Sequence, residues 1–470
     1  MNSFTPTSRP RADRHPAISY DEILDLDSRP VPDSLRECNT PFIPSGTIPV
    51  GNYLDPAYFA DEVKYLWPRV WQVVCREEEI PNSADFVLYE NVGMSLIISR
   101  QADGSIKALH NSCLHRGRRL VTEQGCKARF TCPYHGLSWK NDGTSHANPL
   151  AFDFPQWADG TPPLPEARVE RWGGWVFINC DPNAPGLDSV LGAMVGHFER
   201  WEPEKRYIAL HVRKIVPCNW KLTAEAFMES HHAPTTHPQI LPYMTDVNSQ
   251  YDAVTDDVTR QFSAQLIPSP FAGRHYEEEE IVSTMLGVGS RLKASVGDAA
   301  MAIPEGSTAR QHVSQIMRGI LNAEDGFDYD GFADAEMVDA LLYNVFPHLS
   351  FWGGAMPSLN YVWRPNGLDP ASSIMDVYML RRSPESGRPA PAKRVDVPID
   401  QSFTEASEWS GMSPGLAKIL DQDMTNLPEV QAGLMASASG VVEFSAYTEM
   451  RLRHLHAKID AIIAEGKAAG

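Results

Sequence analysis

Between Cys113 and Gly136 the chain reads CLHRGRRLVTEQGCKARFTCPYHG, and two of its pieces have the composition of metal ligands: Cys113-Leu-His115 and Cys132-Pro-Tyr-His135. Gly117, Pro133 and Gly136 lie within or just after these pairs. Such residues allow the tight turns that let two ligands of one loop face one centre. A single buried cysteine or an ordinary histidine is common, but the same mixed pairing twice in one short stretch argues against that reading. Structural zinc sites mostly pair like with like, cysteine with cysteine and histidine with histidine. Mixed pairs suit a [2Fe–2S] centre in which two imidazoles replace two thiolates on one iron, raising its potential above that of an all-cysteine cluster. On that reading Cys113 and Cys132 hold one iron, and His115 and His135 hold the other. Cys126 fits neither pair and is assigned to packing.

A second constellation lies in CNWKLTAEAFMESHHAPTTHPQ, from Cys218 to Gln239. Asn219 is a good N-cap, and the periodicity predicts a helix from there to about His232, where Pro234 disfavours continuation. Trp220, Ala224, Phe227 and His231 would share one stripe; Glu225, Glu229 and His232 would share another. His237 falls on the turn beyond. Two imidazoles and one carboxylate with open positions form the facial triad of non-haem Fe(II) oxygenases, although surface histidines on a helix are the plainer alternative. The carboxylate need not be local. Asp421 and Asp423 lie on a later helix predicted to start at Ser413-Pro414, an N-cap followed by proline at the first helical position.

These residues must be held by a large scaffold. The chain has 470 residues, 43% hydrophobic and 21% charged, enough for two or three domains around a sizeable core. The net charge of −19 argues against nucleic acid or an anionic membrane surface as partner. The acidic run HYEEEEIV reads as a solvated face. No apolar run is long enough to span a bilayer. The N-terminus lacks a secretory apolar segment, and its prolines argue for a disordered arm. Seven cysteines in such a chain fit a reducing cytoplasm, with thiols used for metal or packing.

Residues 1–50 read as largely irregular, and Asp55 to Trp67 as helical. FVLYENVGMSLIISRQADGSIKALHN, WKNDGTS and RWGGWVFINCDP carry strand and hairpin signals. Residues 69–185 thus form a small all-β unit. The stretch 280–345 reads as mostly helical, NVFPHLSFWGG and SIMDVYMLRR as strands, and two long helices close the chain. The expected fold class is α+β: a β domain inserted in a larger catalytic domain whose antiparallel sheet is framed by helices. The division is an arm and helix over 1–68, the cluster domain over 69–185 and the catalytic domain over 186–470. Met228, Phe346, Phe351 and Trp352 are candidate pocket-lining residues.

Together the two constellations resemble the large (alpha) subunit of Rieske non-haem iron ring-hydroxylating oxygenases. Cys113-Leu-His115-Arg-Gly and Cys132-Pro-Tyr-His135-Gly resemble the family's cluster loops. Asn219-Trp220-Lys221, Glu225, His232 and His237 resemble its catalytic helix. The resemblance implies a Rieske [2Fe–2S] cluster and a mononuclear Fe(II) held by His232, His237 and Asp423, with Gln431 following Asp423 as in the family. It implies that Glu229, where aspartate is more usual, links the cluster of one subunit to the iron of its neighbour in a trimer. Ala226 and His231 also depart from the family's usual asparagine and tyrosine. The implied activity is O2-dependent dihydroxylation, monohydroxylation or demethylation of an aromatic or related cyclic compound. No Gly-rich dinucleotide fingerprint is present, so NAD(P)H is expected to act through a partner flavin reductase, with or without a ferredoxin. A small beta subunit is a further possible partner. The alternative is a Rieske electron-transfer protein without oxygenase activity.

Overall fold

The computed structural model describes residues 17–288 and 302–469, apart from 42, 44 and 45. The expected disordered arm falls largely outside the described residues. Between residues 17 and 50, expected to be irregular, three short elements form. The first, Tyr20–Leu24, is closed by a Ser19/Glu22 capping box and buries Ile23 and Leu24 in the main core.

Two large sheets carry the fold. The first has seven antiparallel strands, in the order Gln72–Arg76, Trp175–Asn179, Glu166–Trp172, Ile106–His110, Met94–Arg100, Asp85–Asn91 and Gly125–Cys126. Trp175–Asn179 is buried along its whole length, as a continuous apolar run requires. A separate three-stranded sheet, Arg129–Thr131, Ser138–Lys140 and Ser145–Ala147, extends from the cluster loops. Cys126, expected in packing, is exposed on the edge strand opposite Asp85; the strand is too short to bury it.

The second sheet has eight strands, in the order Gln250–Ala253, Val258–Ser263, Ala340–Val345, Leu349–Trp352, Ser358–Asn366, Asp369–Arg382, Arg206–Val216 and Val395–Val397. All neighbours are antiparallel except the last pair. The helices Glu278–Val288 and Ala309–Asp325 and the short Asp334–Val338 precede Ala340–Val345, so the helical expectation for 280–345 ends in a strand. The two closing helices are Pro414–Met435 and Met450–Ala468. Pro414–Met435 starts as expected, with the Ser413 side chain accepting from the Leu416 N–H. The α+β fold class thus holds.

The sheets share one core. Val73 N–H donates to Nε2 of His348 at 3.1 Å, and Ile208 N–H donates to Oε1 of Glu78 at 2.6 Å. Trp175 of the first sheet packs on Phe351 and Tyr378 of the second. Buried together, these surfaces exclude water and fix how the two ligand groups are presented.

Candidate metal centres

The two cluster loops close in the same way. Gly117 N–H donates to Cys113 O at 2.8 Å and Cys113 N–H to Arg118 O at 2.9 Å; Gly136 N–H donates to Cys132 O at 3.0 Å and Cys132 N–H to Leu137 O at 2.7 Å. Gly117 (φ +73°) and Gly136 (φ +80°) occupy left-handed backbone that a side chain would strain. Cys113 and Cys132 end up 3% and 1% exposed, and the rings of His115 and His135 stand 4.6 Å apart. Burial, together with the adjacent Cys132 thiol, pushes the Cys113 thiol above its ordinary value. Nδ1 of His115 is buried with no hydrogen-bond partner among the described residues. Two adjoining buried thiols and an orphaned imidazole nitrogen are a costly set for a bare protein and a fitting donor set for a metal cluster.

The second site departs from the expected helix. Only Trp220–Glu225 is helical; the chain then turns through Met228 and Ser230 and resumes as the short helix Ala233–Thr236. Tertiary hydrogen bonds replace helical ones. Ser230 N–H donates to the Tyr251 hydroxyl at 3.0 Å, and the Arg451 guanidinium donates to Met228 O at 3.1 Å. The two predicted stripes therefore do not exist as such. Glu225 turns to Tyr53 and His456, and His231 is exposed.

The break brings His232 and His237 together. Nε2 of His237 lies 2.9 Å from Oδ1 of Asp423, and Nε2 of His232 lies 3.6 Å from the same oxygen. One ligand atom from each of the three residues lies within 4.8 Å of the others. The opposite ring nitrogens are tied back. Nδ1 of His232 meets Oε1 of Glu229 at 2.5 Å, and Nδ1 of His237 meets Oε1 of Gln422 at 2.9 Å. Both acceptors draw the ring proton to Nδ1, leaving the Nε2 lone pairs facing Asp423. Burial lowers the proton affinity of His232, and the hydrogen bond and charge of Glu229 outweigh it, so its pKa is raised. Asp421 points elsewhere: its carboxylate accepts from Phe403 N–H and Thr404 N–H, capping the helix Phe403–Ser410.

Two family matches cover this architecture: a Rieske [2Fe–2S] domain over residues 70–158 and a ring hydroxylating alpha subunit (catalytic domain) over residues 193–465. The chain belongs to the ring-hydroxylating alpha subunit family. Its cofactors are accordingly a Rieske [2Fe–2S] cluster and a mononuclear iron, and the donor sets described above fit both. The carnitine monooxygenase oxygenase subunit of Escherichia coli is 33% identical over 200 residues, 41% of this chain and 52% of that protein. The N,N-dimethyl phenylurea N-demethylase subunit alpha of Sphingobium sp. is 27% identical over 72% of this chain and 70% of its own length. The chain thus spans only about half the length of the carnitine enzyme it matches. Among solved structures, a quaternary ammonium Rieske monooxygenase aligns at TM-score 0.60 with 18% identity, covering 88% of this chain and 95% of its own. Naphthalene 1,2-dioxygenase from Rhodococcus sp. aligns at TM-score 0.57 with 18% identity, covering 89% and 95%. At that identity the structural likeness speaks for the fold.

Of the four pocket candidates, Trp352 packs against the cluster of Tyr361, Trp363 and Leu420, which Phe227 also joins. Met228 and Phe346 join the cluster of Trp67 and Trp220, and Phe351 joins the core between the sheets. Phe227, five residues before His232, packs its ring 4.8 Å from Tyr361 and 5.8 Å from Trp363. Burial, and then the charge of Asp423, pushes the Tyr361 phenol up. Gln422 and its partner Gln239 were not visible as site residues in the sequence. The only signal for Gln422 is its place next to Asp423, and a glutamine on a helix is ordinarily surface.

Proposed function

We propose that this alpha subunit is the terminal oxygenase of a Rieske non-haem iron system, using O2 and electrons delivered from NAD(P)H by a reductase, with or without a ferredoxin. The observation that carries the reading is the convergence of His232 Nε2, His237 Nε2 and Asp423 Oδ1, with each Nδ1 tied to its own acceptor. A pure electron carrier has no use for such a site. In this reading Cys113, Cys132, His115 and His135 hold the cluster within a domain of residues 69–185. His232, His237 and Asp423 hold the mononuclear iron within residues 186–470, and residues 1–68 pack on that domain. When bound, the cluster supplies electrons one at a time and the mononuclear iron supplies open positions for O2. The chain's own contribution is orientation. Glu229 and Gln422 keep the imidazole protons on Nδ1.

Assembly as a homotrimer, with or without a small beta subunit, would set His115 or His135 of one copy against Glu229 of the next. Among the described residues no helix is long and apolar enough to cross a membrane, and a cytoplasmic setting suits the seven thiols. The substrate we infer is an aromatic or related cyclic compound, supported by the packed rings of Phe227 and Tyr361, the latter within reach of the Asp423 charge. A second reading is oxidation of an N-methyl group. It is favoured by the phenylurea N-demethylase relative, which aligns over most of both chains. Formaldehyde among the products of an N-methyl arene would decide for it, and a ring diol would decide for the first.

The test is iron and acid-labile sulfide on anaerobically purified protein, with Asp423→Ala beside it. About three irons and two sulfides are expected, falling by about one iron in the variant while sulfide and the Rieske spectrum stay. Substrate oxidation retained in Asp423→Ala would overturn the reading.

A further inference from the structure

In an acidic chain, one face of the cluster domain is basic. An open cleft of about 540 Å³ is lined by Lys127, Ala128, Arg129, Lys140 and His146. All four of its polar side chains are exposed. Arg129 stands directly opposite Lys140 across the strand pair, and its Nη1 lies 3.3 Å from Nε2 of His146. Like charges in register destabilise a sheet. Asp142 feels the charge of Lys140, but among the described residues no carboxylate lies within ion-pair distance of Lys127, Arg129 or Lys140. The surrounding segment 113–147 adds Arg116, Arg118 and Arg119 against only Glu123 and Asp142, whereas the whole chain carries −19.

The place of the cleft matters as much as its sign. Arg129–Thr131 runs straight into Cys132, and Ser138–Lys140 leaves the same loop just after Gly136. Arg129 is therefore no further from Cys132 than three residues of extended chain, about 10 Å. A concave patch of one sign on a body of the other focuses the field and selects an oppositely charged partner at one spot.

We propose that the Lys127–Arg129–Lys140–His146 cleft is the docking surface for the chain's electron donor, an acidic iron–sulfur protein. Each encounter moves one electron: the donor's reduced iron–sulfur centre is oxidised and this chain's cluster is reduced, with no bond made or broken. The proposal rests on the oxygenase reading in one respect, that the cluster receives electrons from a protein.

The experiment measures binding of an oxidised, acidic plant-type [2Fe–2S] ferredoxin, immobilised, to the iron-loaded full chain. It compares the wild type with Lys127→Glu/Arg129→Glu/Lys140→Glu and with Lys127→Gln/Arg129→Gln/Lys140→Gln, at about 20 mM and about 500 mM salt. At low salt the glutamate variant is expected to bind at least about tenfold more weakly, with the glutamine variant between it and the wild type. The differences are expected to vanish at high salt. The dithionite-reduced spectrum reports that each variant still folds around its cluster. Equal binding by the wild type and the glutamate variant, salt-independent binding, or no binding by the wild type would overturn the proposal. A chain that shows no Rieske spectrum at all would count against the oxygenase reading, while the binding comparison would still decide the cleft.

Discussion

Replacing Gln422 by leucine tests whether the metal site is built from its outer ring inward. Oε1 of Gln422 is the acceptor for both His237 Nδ1 at 2.9 Å and Gln239 Nε2 at 2.6 Å, and its amide returns a bond to Oε1 of Gln239 at 3.2 Å. Leucine is close in size, so the helix Pro414–Met435 and its packing should persist. The Nδ1–H of His237 is then left facing an apolar chain, and an unpartnered buried donor costs about 1–3 kcal/mol. The imidazole escapes that cost by turning over or by moving its proton to Nε2. Either response withdraws the lone pair that stands 2.9 Å from Asp423. Loss of such an orienting partner lowers metal affinity about 10–100-fold, or about 1.4–2.8 kcal/mol, in line with the desolvation figure. The assay is anaerobic titration of the iron-free mononuclear site with Co(II), read by its visible absorption against a competing chelator. Sulfide content is followed as a control on the cluster. The Gln422→Glu variant keeps the acceptor and adds charge, so its affinity is expected within about threefold of wild type. A Gln422→Leu protein that binds Co(II) within about twofold of wild type would refute the reasoning, because His237 would then need no help to present Nε2.

The neighbouring Asp421→Ala should do the opposite. It removes the cap on Phe403 and Thr404 and costs about 1 kcal/mol in denaturant unfolding, with Co(II) affinity unchanged. Lys221 and Glu62 are fully buried and 2.5 Å apart, so Lys221→Met strands a buried carboxylate and is expected to cost about 3–5 kcal/mol. Adding Glu62→Gln to it should restore much of that loss, and no restoration would argue against the pair. Burial, aided by the charge of Arg364, lowers the His348 pKa from 6.5 to about 3, and its Nε2 accepts from Val73 N–H. The unfolded chain therefore binds a proton that the folded one refuses. This group's share of stability is whole above about pH 6.5 and is lost at roughly 1.4 kcal/mol per pH unit as pH falls toward about 3. Denaturant midpoints at about pH 5 and pH 7 should show a shallower pH dependence in His348→Gln, and an unaltered slope would sink the assignment.

What the sequence made legible follows from how local each feature is. The cluster loops carry their ligands, their turn residues and their spacing within one stretch, so Cys113, His115, Cys132 and His135 could be named together. The hairpins around Gly104 and Gly143 and the cap Ser413-Pro414 are equally local. The triad is not. Its histidines were visible, but Asp423 was separable from Asp421 only by resemblance, because both occupy the same helix. In three dimensions the two part: Asp421 caps a helix, and Oδ1 of Asp423 lies 2.9 and 3.6 Å from the two imidazoles. The pocket wall is less legible still. Apolar residues such as Phe351 on a strand, or Phe346 on the turn after one, give no sign in the sequence of which neighbours they will meet.

The failed helix from Asn219 to His232 is the most informative departure, because its failure shapes the site. In an unbroken helix Glu229 and His232 would be neighbours on one face about 5–6 Å apart between Cβ atoms. Their backbone groups would be spent on the helix ladder. With the ladder broken, Glu229 uses both carboxylate oxygens on one residue: Oε2 accepts from His232 N–H at 3.1 Å and Oε1 meets Nδ1 at 2.5 Å. That grip fixes where the ring sits as well as which nitrogen holds the proton. The lost helical bonds are replaced from elsewhere in the chain, by Tyr251 on Ser230 N–H and by Arg451 on Met228 O. Arg451 lies on the last helix, and burial lowers its pKa to about 9. Through its bond to Met228 O, one residue before Glu229, this guanidinium ties the C-terminal helix to the bend from which Glu229 holds His232.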